Sequence, residues 1–426
     1  MSFKSSILRI LDIAWRSLAI LLLICVIALC LSGVSPVYRF AAPEPFCGPD
    51  IFNPYESYQS SITDFPATSS DSLASPASPW KRANFHTHTR VDGIFNECDH
   101  SPQATLDSLL SFGYDIVTFS NHNKLTVHPS DSTLQVNVYE HGYNLFKYHK
   151  LVFGCEKVLH WDHLLPCFAF QRQAMLDWLS ADADILQLNH PLRTGLTTRR
   201  IMERLSGYQL IELDSGRSTE QEYWDWALSA GHYSFGVAND DLHYPDRSSR
   251  IAVRCTFLQT PSARYEDLRQ ALLGGCFYSM RVPDYGHGDW RAKHEGNAAL
   301  PYISDIGLRD NVIHIRLSQP ADSIAVTGQD HNRLKVGRGC AELEYAMQPD
   351  DSYARFTAWF PDGAVIWSNP FARYDSSAAT SPYHNAEHPV SILLTFIFNL
   401  CLILTALFAG MLIVWTAGGK RNRKYE

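Results

Sequence analysis

Arg82-Ala83-Asn84-Phe85-His86-Thr87-His88 reads as a strand that closes on a pair of histidines. Four further clusters of histidine or carboxylate follow, each at the end of another apolar, strand-like run. They are His122 in Ser120-Asn121-His122-Asn123, Glu156 with His163, His190 in Leu188-Asn189-His190-Pro191, and Asp241-Leu242-His243 beside Asp240. The strand-like runs cover residues 82–86, 115–120, 151–156, 163–168, 184–188, 209–213, 232–238 and 251–258. Helices with readable ends separate several of them. Ser101-Pro102 supplies an N-cap and a first-turn proline ahead of Leu106, Leu109 and Leu110, and Gly113 supplies the left-handed stop. Ser218 and Gln221 stand in capping-box spacing before a helix that stops at Gly231. A third helix ends at Gly274-Gly275 after Leu268, Leu272 and Leu273. This alternation predicts parallel strands wrapped by helices, closed into a barrel that covers both sheet faces. In such a barrel the C-terminal strand ends converge, so ligands distant in sequence become neighbours in a multi-metal site.

After Tyr302 the apolar pattern changes to period two, as in Val312-Ile313-His314-Ile315-Arg316-Leu317, with a turn at Pro361-Asp362-Gly363. A small β appendage is expected there. The whole chain is then expected to comprise a cytoplasmic stub and apolar helix over 1–39, a Pro/Ser-rich linker over 40–80 and the barrel over 81–300. The β-rich appendage follows over 301–375, then a second linker over 376–388, an apolar helix over 389–419 and a basic tail over 420–426.

The two apolar segments, uncharged from Ser17 to Tyr38 and from Pro389 to Gly419, are each long enough to span a bilayer, which takes roughly 20 residues. A cleavable signal peptide is the competing reading of the first, but no small-residue cleavage site follows it. Lys4, Arg9 and Arg16 precede the first segment, and Lys420, Arg421, Arg423 and Lys424 follow the second. By the positive-inside rule both ends are cytoplasmic and the region between them is extracytoplasmic, periplasmic in a Gram-negative cell.

With 426 residues, 46% hydrophobic and 19% charged, the chain is long enough for one sizeable core. A formal charge of -8 argues against a nucleic-acid partner, because phosphate-backbone binders concentrate lysine and arginine. Of ten cysteines, Cys25, Cys30 and Cys401 lie in the apolar segments; the seven others contain no Cys-x-x-Cys pair, and their disulfide connectivity is unreadable.

Taken in order, His86-Thr87-His88-Thr89 with Asp92-Gly93, Gly113-Tyr114-Asp115 with Asn121-His122-Asn123, Gly154-Cys155-Glu156, His163, Asn189-His190-Pro191 and Asp241-Leu242-His243 resemble the PHP superfamily of polymerase and histidinol phosphatase domains. The likeness spans roughly residues 84–278 and is nearest to the carbaryl-hydrolase-like branch, through the Glu156 to His163 spacing and Gly274-Gly275-Cys276-Phe277-Tyr278. It departs from the family at Asn121, where Asp is usual, and in a short spacing from His88 to Asp92. The resemblance implies a distorted (β/α)7 barrel with two or three divalent metals, zinc, manganese or iron by the imidazole and carboxylate ligand types. It assigns His86, His88, Glu156 and Asp241 to one ion, Glu156 with His163 and His190 to a second, and Asp92, His122 and His243 to a third.

His160 is an alternative to His163, and Asp240 to Asp241. Asp241 and His243 are the candidates for orienting water or protonating a leaving group, and Arg193 and Lys124 for holding a substrate phosphate. Glu212 and Asp214 read equally as supporting groups or as solvated loop carboxylates. The expected activity is hydrolysis of a phosphate ester by a metal-activated water, with lipid- and glycan-linked esters among the candidate substrates and the membrane as partner. A carboxylic or carbamate ester hydrolase and a catalytically degenerate binding module are the alternatives.

Overall fold

Turn and cap residues divide the middle of the chain into short elements. Ser101 accepts a hydrogen bond from the Ala104 amide and caps the Pro102–Leu110 helix, and Gly113 follows at φ 75°. Gly275, at φ 79°, closes the Tyr265–Gly274 helix in the left-handed conformation that favours glycine. A helix spans Gln221–Ser229; its expected opening residue, Ser218, lies outside the described residues. A computed structural model of the chain describes residues 3–57, 80–92, 96–214, 216 and 219–418.

Its strands are β1 (Asp50–Phe52), β2 (Lys81–Asn84), β3 (Ile116–Val117), β4 (Val138–His141), β5 (Lys150–Phe153), β6 (Ile185–Leu188), β7 (Leu210–Glu212) and β8 (Phe235–Val237). They continue as β9 (Arg254–Leu258), β10 (Phe277–Arg281), β11 (Ile303–Arg309), β12 (Val312–Thr327), β13 (Arg333–Ala346), β14 (Tyr353–Trp359), β15 (Val365–Ser368) and β16 (Phe371–Tyr374). The fold is mixed α/β, but the closed seven-stranded barrel expected from the alternation is not seen. The strands form two sheets, one ordered β4-β5-β6-β7-β8 and an eleven-stranded one ordered β1-β16-β14-β15-β10-β9-β2-β3, with β12 on β14 carrying β11 and β13.

Strand direction is the physical reason. β2 with β3, β6 with β7, and β7 with β8 pair in parallel. β5 instead runs antiparallel to β4 and β6, and β9 antiparallel to β2. A parallel β4–β5 pair needs a crossover of about a dozen residues or more, and residues 142–149 are too few, so the chain turns back. The two sheets meet at single bridges, Thr87 with Leu242 and His122 with Glu140. There the His88 amide donates to the Leu242 carbonyl and the Asn123 amide to the Glu140 carbonyl, both at 2.9 Å. This seam brings the histidine-bearing loops together.

The β-rich segment after Tyr302 is present as β11 to β16, and β15 on β10 makes it one sheet with β9, β2 and β3. Within the expected N-terminal linker, β1 pairs with β16, Asp50 opposite Tyr374, and Tyr55 is buried with its hydroxyl donating to the Phe277 carbonyl at 3.0 Å. The Ser/Pro runs of residues 66–79 and the basic tail lie outside the described residues. The expected strand at 163–168 is irregular, and β4 was not foreseen.

A buried ion pair fastens the Gln221–Ser229 helix to β14. Arg355 donates through Nε to Asp225 Oδ1 at 2.8 Å and through Nη2 to Oδ2 at 2.5 Å, with both side chains excluded from solvent. The Tyr353 hydroxyl adds a bond to the same carboxylate at 3.0 Å, and His331 a further one.

Two helices, Phe3–Ser32 and Ile392–Gly418, are long and apolar enough to cross a membrane. They lie antiparallel. Arg16 donates to the Thr416 carbonyl at 2.9 Å, while at the other end Ser35 and Asn399 exchange two bonds of 3.1 Å. The Ser391 amide donates to the Val37 carbonyl, and Arg39 to Pro389.

Candidate metal centre

The loops at the seam converge on one carboxylate. Glu140, the third residue of β4, is buried and stands among five imidazoles. Its Oε2 lies 3.1 Å from His86 Nε2, 3.2 Å from His88 Nε2 and 3.1 Å from His122 Nε2. Its Oε1 lies 3.1 Å from His149 Nδ1 and 3.3 Å from His190 Nε2. Asp241 Oδ1 closes one side, 3.1 Å from His86 Nε2 and 3.3 Å from His88 Nε2. Glu97 Oε2 closes the other, 3.0 Å from His122 Nε2 and 3.3 Å from His243 Nε2. Three overlapping groups result: His86, His88, Glu140 and Asp241; His88, Glu97 and His243; His122, Glu140 and His149.

Supporting groups fix these side chains. Glu212, at the end of β7, faces His86 Nδ1 through Oε1 at 3.1 Å and accepts from the His190 amide through Oε2 at 2.9 Å. Asn189 donates to Glu140 Oε1 at 2.9 Å. Asn121 bonds the Thr89 amide, the Thr89 hydroxyl and the Thr126 hydroxyl at 2.8, 2.8 and 2.7 Å, so it clamps two site loops together. His190 and Asp241 hold φ at 30° and 49°, a strained region for residues with a Cβ and one that clusters at functional sites.

Six of the residues expected from the sequence meet in this centre: His86, His88, His122, His190, Asp241 and His243. Arg193 joins them at the rim, donating to Asp241 Oδ2 at 2.5 Å. Three others are corrected. Glu156 is exposed at the far end of β5 because that strand runs backwards, and the central carboxylate is Glu140. The same reversal puts His149, just before β5, at the site, whereas His163 bonds the Ser32 carbonyl at 2.5 Å where the first apolar helix ends. Asp92 is exposed, and Glu97 faces His122 and His243 in its place. Lys124 is exposed beside His122, and His160 is exposed as well. Asp240 accepts from the amides of Ala252, Val253 and Arg254 and so serves the fold. Asp214 pairs with Arg254 at 2.9 Å and with Arg281.

No family model and no curated protein matches the chain. The chain is similar to a solved structure. It is the crystal structure of a two-domain protein containing a predicted PHP-like metal-dependent phosphoesterase from Bacteroides vulgatus ATCC 8482, at 13% identity and a TM-score of 0.36, covering 72% of this chain and 100% of that one. A likeness this distant transfers nothing, so the chemistry is read from the cluster itself.

The donor set fits divalent metal. Nitrogen and oxygen ligands about 2.1 Å from a shared ion stand about 3.0 Å apart at a right angle and about 3.4 Å apart at the tetrahedral angle. The separations of 3.1 to 3.3 Å among His86, His88, Glu140 and Asp241 fall in that interval. His86 Nε2 and His88 Nε2 are buried and make no hydrogen bond of acceptable geometry despite those short separations. Without metal, protons hold the cluster together. Burial opposes charge on His86 and His122, but Glu140 and its neighbours prevail, raising His86 well above its ordinary value and His122 to about 9. Burial wins at His149, which falls to about 4. Burial also disfavours the Glu140 and Asp241 anions, yet the surrounding imidazoles hold both carboxyls well below the usual range.

Proposed function

We propose that the protein is a metal-dependent hydrolase of phosphate esters, anchored by its two apolar helices with the catalytic region outside the cytoplasm. The observation that supports this most strongly is the buried convergence of five imidazoles on Glu140, with two of the nitrogens that face it, His86 Nε2 and His88 Nε2, lacking a hydrogen bond. His86, His88, Glu140 and Asp241 would hold one ion, and the overlapping groups His122, Glu140 and His149, and His88, Glu97 and His243, are the places for further ions. Zinc, manganese or iron bound there would act as Lewis acids on a phosphoryl oxygen and bring a water within reach of deprotonation at neutral pH.

The chain's own residues supply the rest. Arg193, part-exposed and pinned by Asp241, presents guanidinium N–H groups to a phosphate oxygen entering over the cluster. Lys124, exposed two residues after His122, would offer a second positive charge to the phosphate. Asp241 and His243, whose part-buried ring stacks on His88, are the candidates for orienting the attacking water or protonating the leaving oxygen, His243 only while its Nε2 holds no ion. Glu212 keeps His86 in the tautomer that turns Nε2 inward.

For the anchoring, the helices pack antiparallel, which is the arrangement an even number of spans requires. The basic residues at both ends favour a cytoplasmic side for the termini.

The test is elemental analysis of the detergent-purified chain, paired with hydrolysis of p-nitrophenyl phosphate, bis-p-nitrophenyl phosphate and p-nitrophenyl acetate before and after chelation. Bound metal with chelator-sensitive turnover of either phosphate is the expected result. Turnover of the acetate alone would replace the reading with a carboxylic ester hydrolase. A folded, metal-free protein inactive after zinc, manganese or iron is restored would leave a binding module.

A further inference from the structure

Three segments stand between the metal centre and the ends of the apolar helices: residues 141–149, 160–171 and 190–197. They interlock. The Leu145 amide donates to the Leu164 carbonyl at 3.0 Å, the Gly195 amide to the Phe146 carbonyl at 2.7 Å, and Thr194 Oγ1 to the Lys147 carbonyl at 2.9 Å. Arg172 joins the last two segments through the Gly195 carbonyl at 2.5 Å.

On one side this block carries His149, His190 and Arg193 into the centre. On the other it is bonded to the point where the first apolar helix ends. His163 Nδ1 meets the Ser32 carbonyl at 2.5 Å, and Gln171 Nε2 donates to the Gly33 carbonyl at 3.1 Å. Phe168 and Phe170 stack at 5.2 Å and pack against Phe398 of the second helix at 6.1 and 5.1 Å.

The block is also unusually apolar where it meets solvent. Fourteen large apolar side chains are exposed between the two helices among the described residues. Six of them, Tyr143, Leu145, Trp161, Phe168, Leu192 and Leu196, lie on these three segments, with Leu145 at 72% and Leu196 at 59% exposure. Scattered singly such residues need no explanation, but concentrated beside helices of membrane-spanning length they mark a surface meant for apolar contact. Leu192 and Arg193 are adjacent, so the apolar surface and the proposed phosphate contact share one turn.

From this continuity we infer that the metal centre acts on a phosphoester carried by a lipid, whose chain lies along the 141–149, 160–171 and 190–197 face while its phosphate reaches Arg193. The inference rests on the hydrolase reading above and names its substrate class.

The test uses the full chain in phosphatidylcholine nanodiscs and two pairs of probes alike in their reacting group: methyl and hexadecyl p-nitrophenyl phosphate as diesters, and dihexanoyl and dioleoyl phosphatidic acid as monoesters. In whichever pair is turned over, the long-chain member should show a KM at least about ten-fold lower, a ratio that burial of as few as two methylenes supplies. Leu145→Asn combined with Leu196→Asn should cut that ratio to about three-fold or less while leaving kcat on the short-chain member unchanged. Equal KM values within the pair, or a ratio the double variant does not move, would overturn the lipid assignment and leave the hydrolase intact. No turnover of any probe with zinc, manganese or iron present would overturn the hydrolase reading and this inference with it.

Discussion

Two buried groups of charge in this molecule are built on opposite principles. Around Asp225 the carboxylate takes both prongs of Arg355, the Tyr353 hydroxyl and His331, so opposite charges meet with their hydrogen bonds made. Around Glu140 there are imidazoles and more carboxylates, and Arg193 touches only the edge. The first arrangement is complete as it stands. The second has lone pairs turned inward on a common point and balances only when protons or cations enter. Burial alone therefore does not mark a functional site; the convergence of several buried ligand atoms without matching hydrogen bonds does.

Removing the central carboxylate of either group should have the largest effect. Glu140→Gln should lower turnover by about three orders of magnitude or more and reduce bound metal, read by elemental analysis, with the fold retained by circular dichroism. Asp225→Asn should do the reverse. It leaves a buried guanidinium without its anion and is expected to cost about 3–5 kcal/mol in denaturant unfolding, with the metal content of the folded fraction unchanged.

Next in size is Glu212→Gln, which keeps the shape of the group behind His86 but weakens its hold on the ring. A fall in metal affinity of about 10- to 100-fold is expected in a competition titration with a chelator, and an unchanged affinity would remove Glu212 from the site.

The two groups should also respond oppositely to pH. Burial disfavours the Asp225 anion, but Arg355 and His331 outweigh it and hold the carboxyl below its ordinary value. Its stabilisation is present above about pH 4 and is lost as pH falls through the lower folded value. His86 and His122 are raised in the metal-free protein, so their stabilisation is complete below about pH 6.5 and is lost as pH rises, through about 9 for His122. Melting curves of chelated protein between pH 6 and 10 should decline with pH, and His122→Gln should flatten the decline. Smallest of all, Glu156→Ala should change stability by no more than about 0.5 kcal/mol and leave metal content intact, as befits an exposed side chain.

That last variant marks where the sequence stopped being readable. Histidines that end forward-running strands, His86, His122 and His190, were legible because apolar runs lead into them. So were the caps at Ser101 and Gly275. Glu140 was missed although Val136 and Val138 alternate ahead of it, because the polar residues from Ser130 to Ser132 disguise the strand as loop. His149 precedes its strand, and only the reversed direction of β5 makes it a site residue. The brevity of residues 142–149 carried that information once β4 was recognised. Barrel closure was not legible at all, since hydrophobic periodicity reports which faces are buried and is silent on which neighbour a strand chooses. Glu97 sits in a loop, where no periodicity exists to place it.

The pairing of β1 with β16 has a consequence for the order of events in folding. Ser376 bonds Asp50 across 326 residues of chain, and Arg16 reaches Thr416 across 400. During synthesis from the N-terminus, the first strand and the first apolar helix are made long before their partners exist. These outermost contacts cannot form until the end of the chain has been made, by which time every residue of the candidate metal centre, the last of them His243, has already been synthesised.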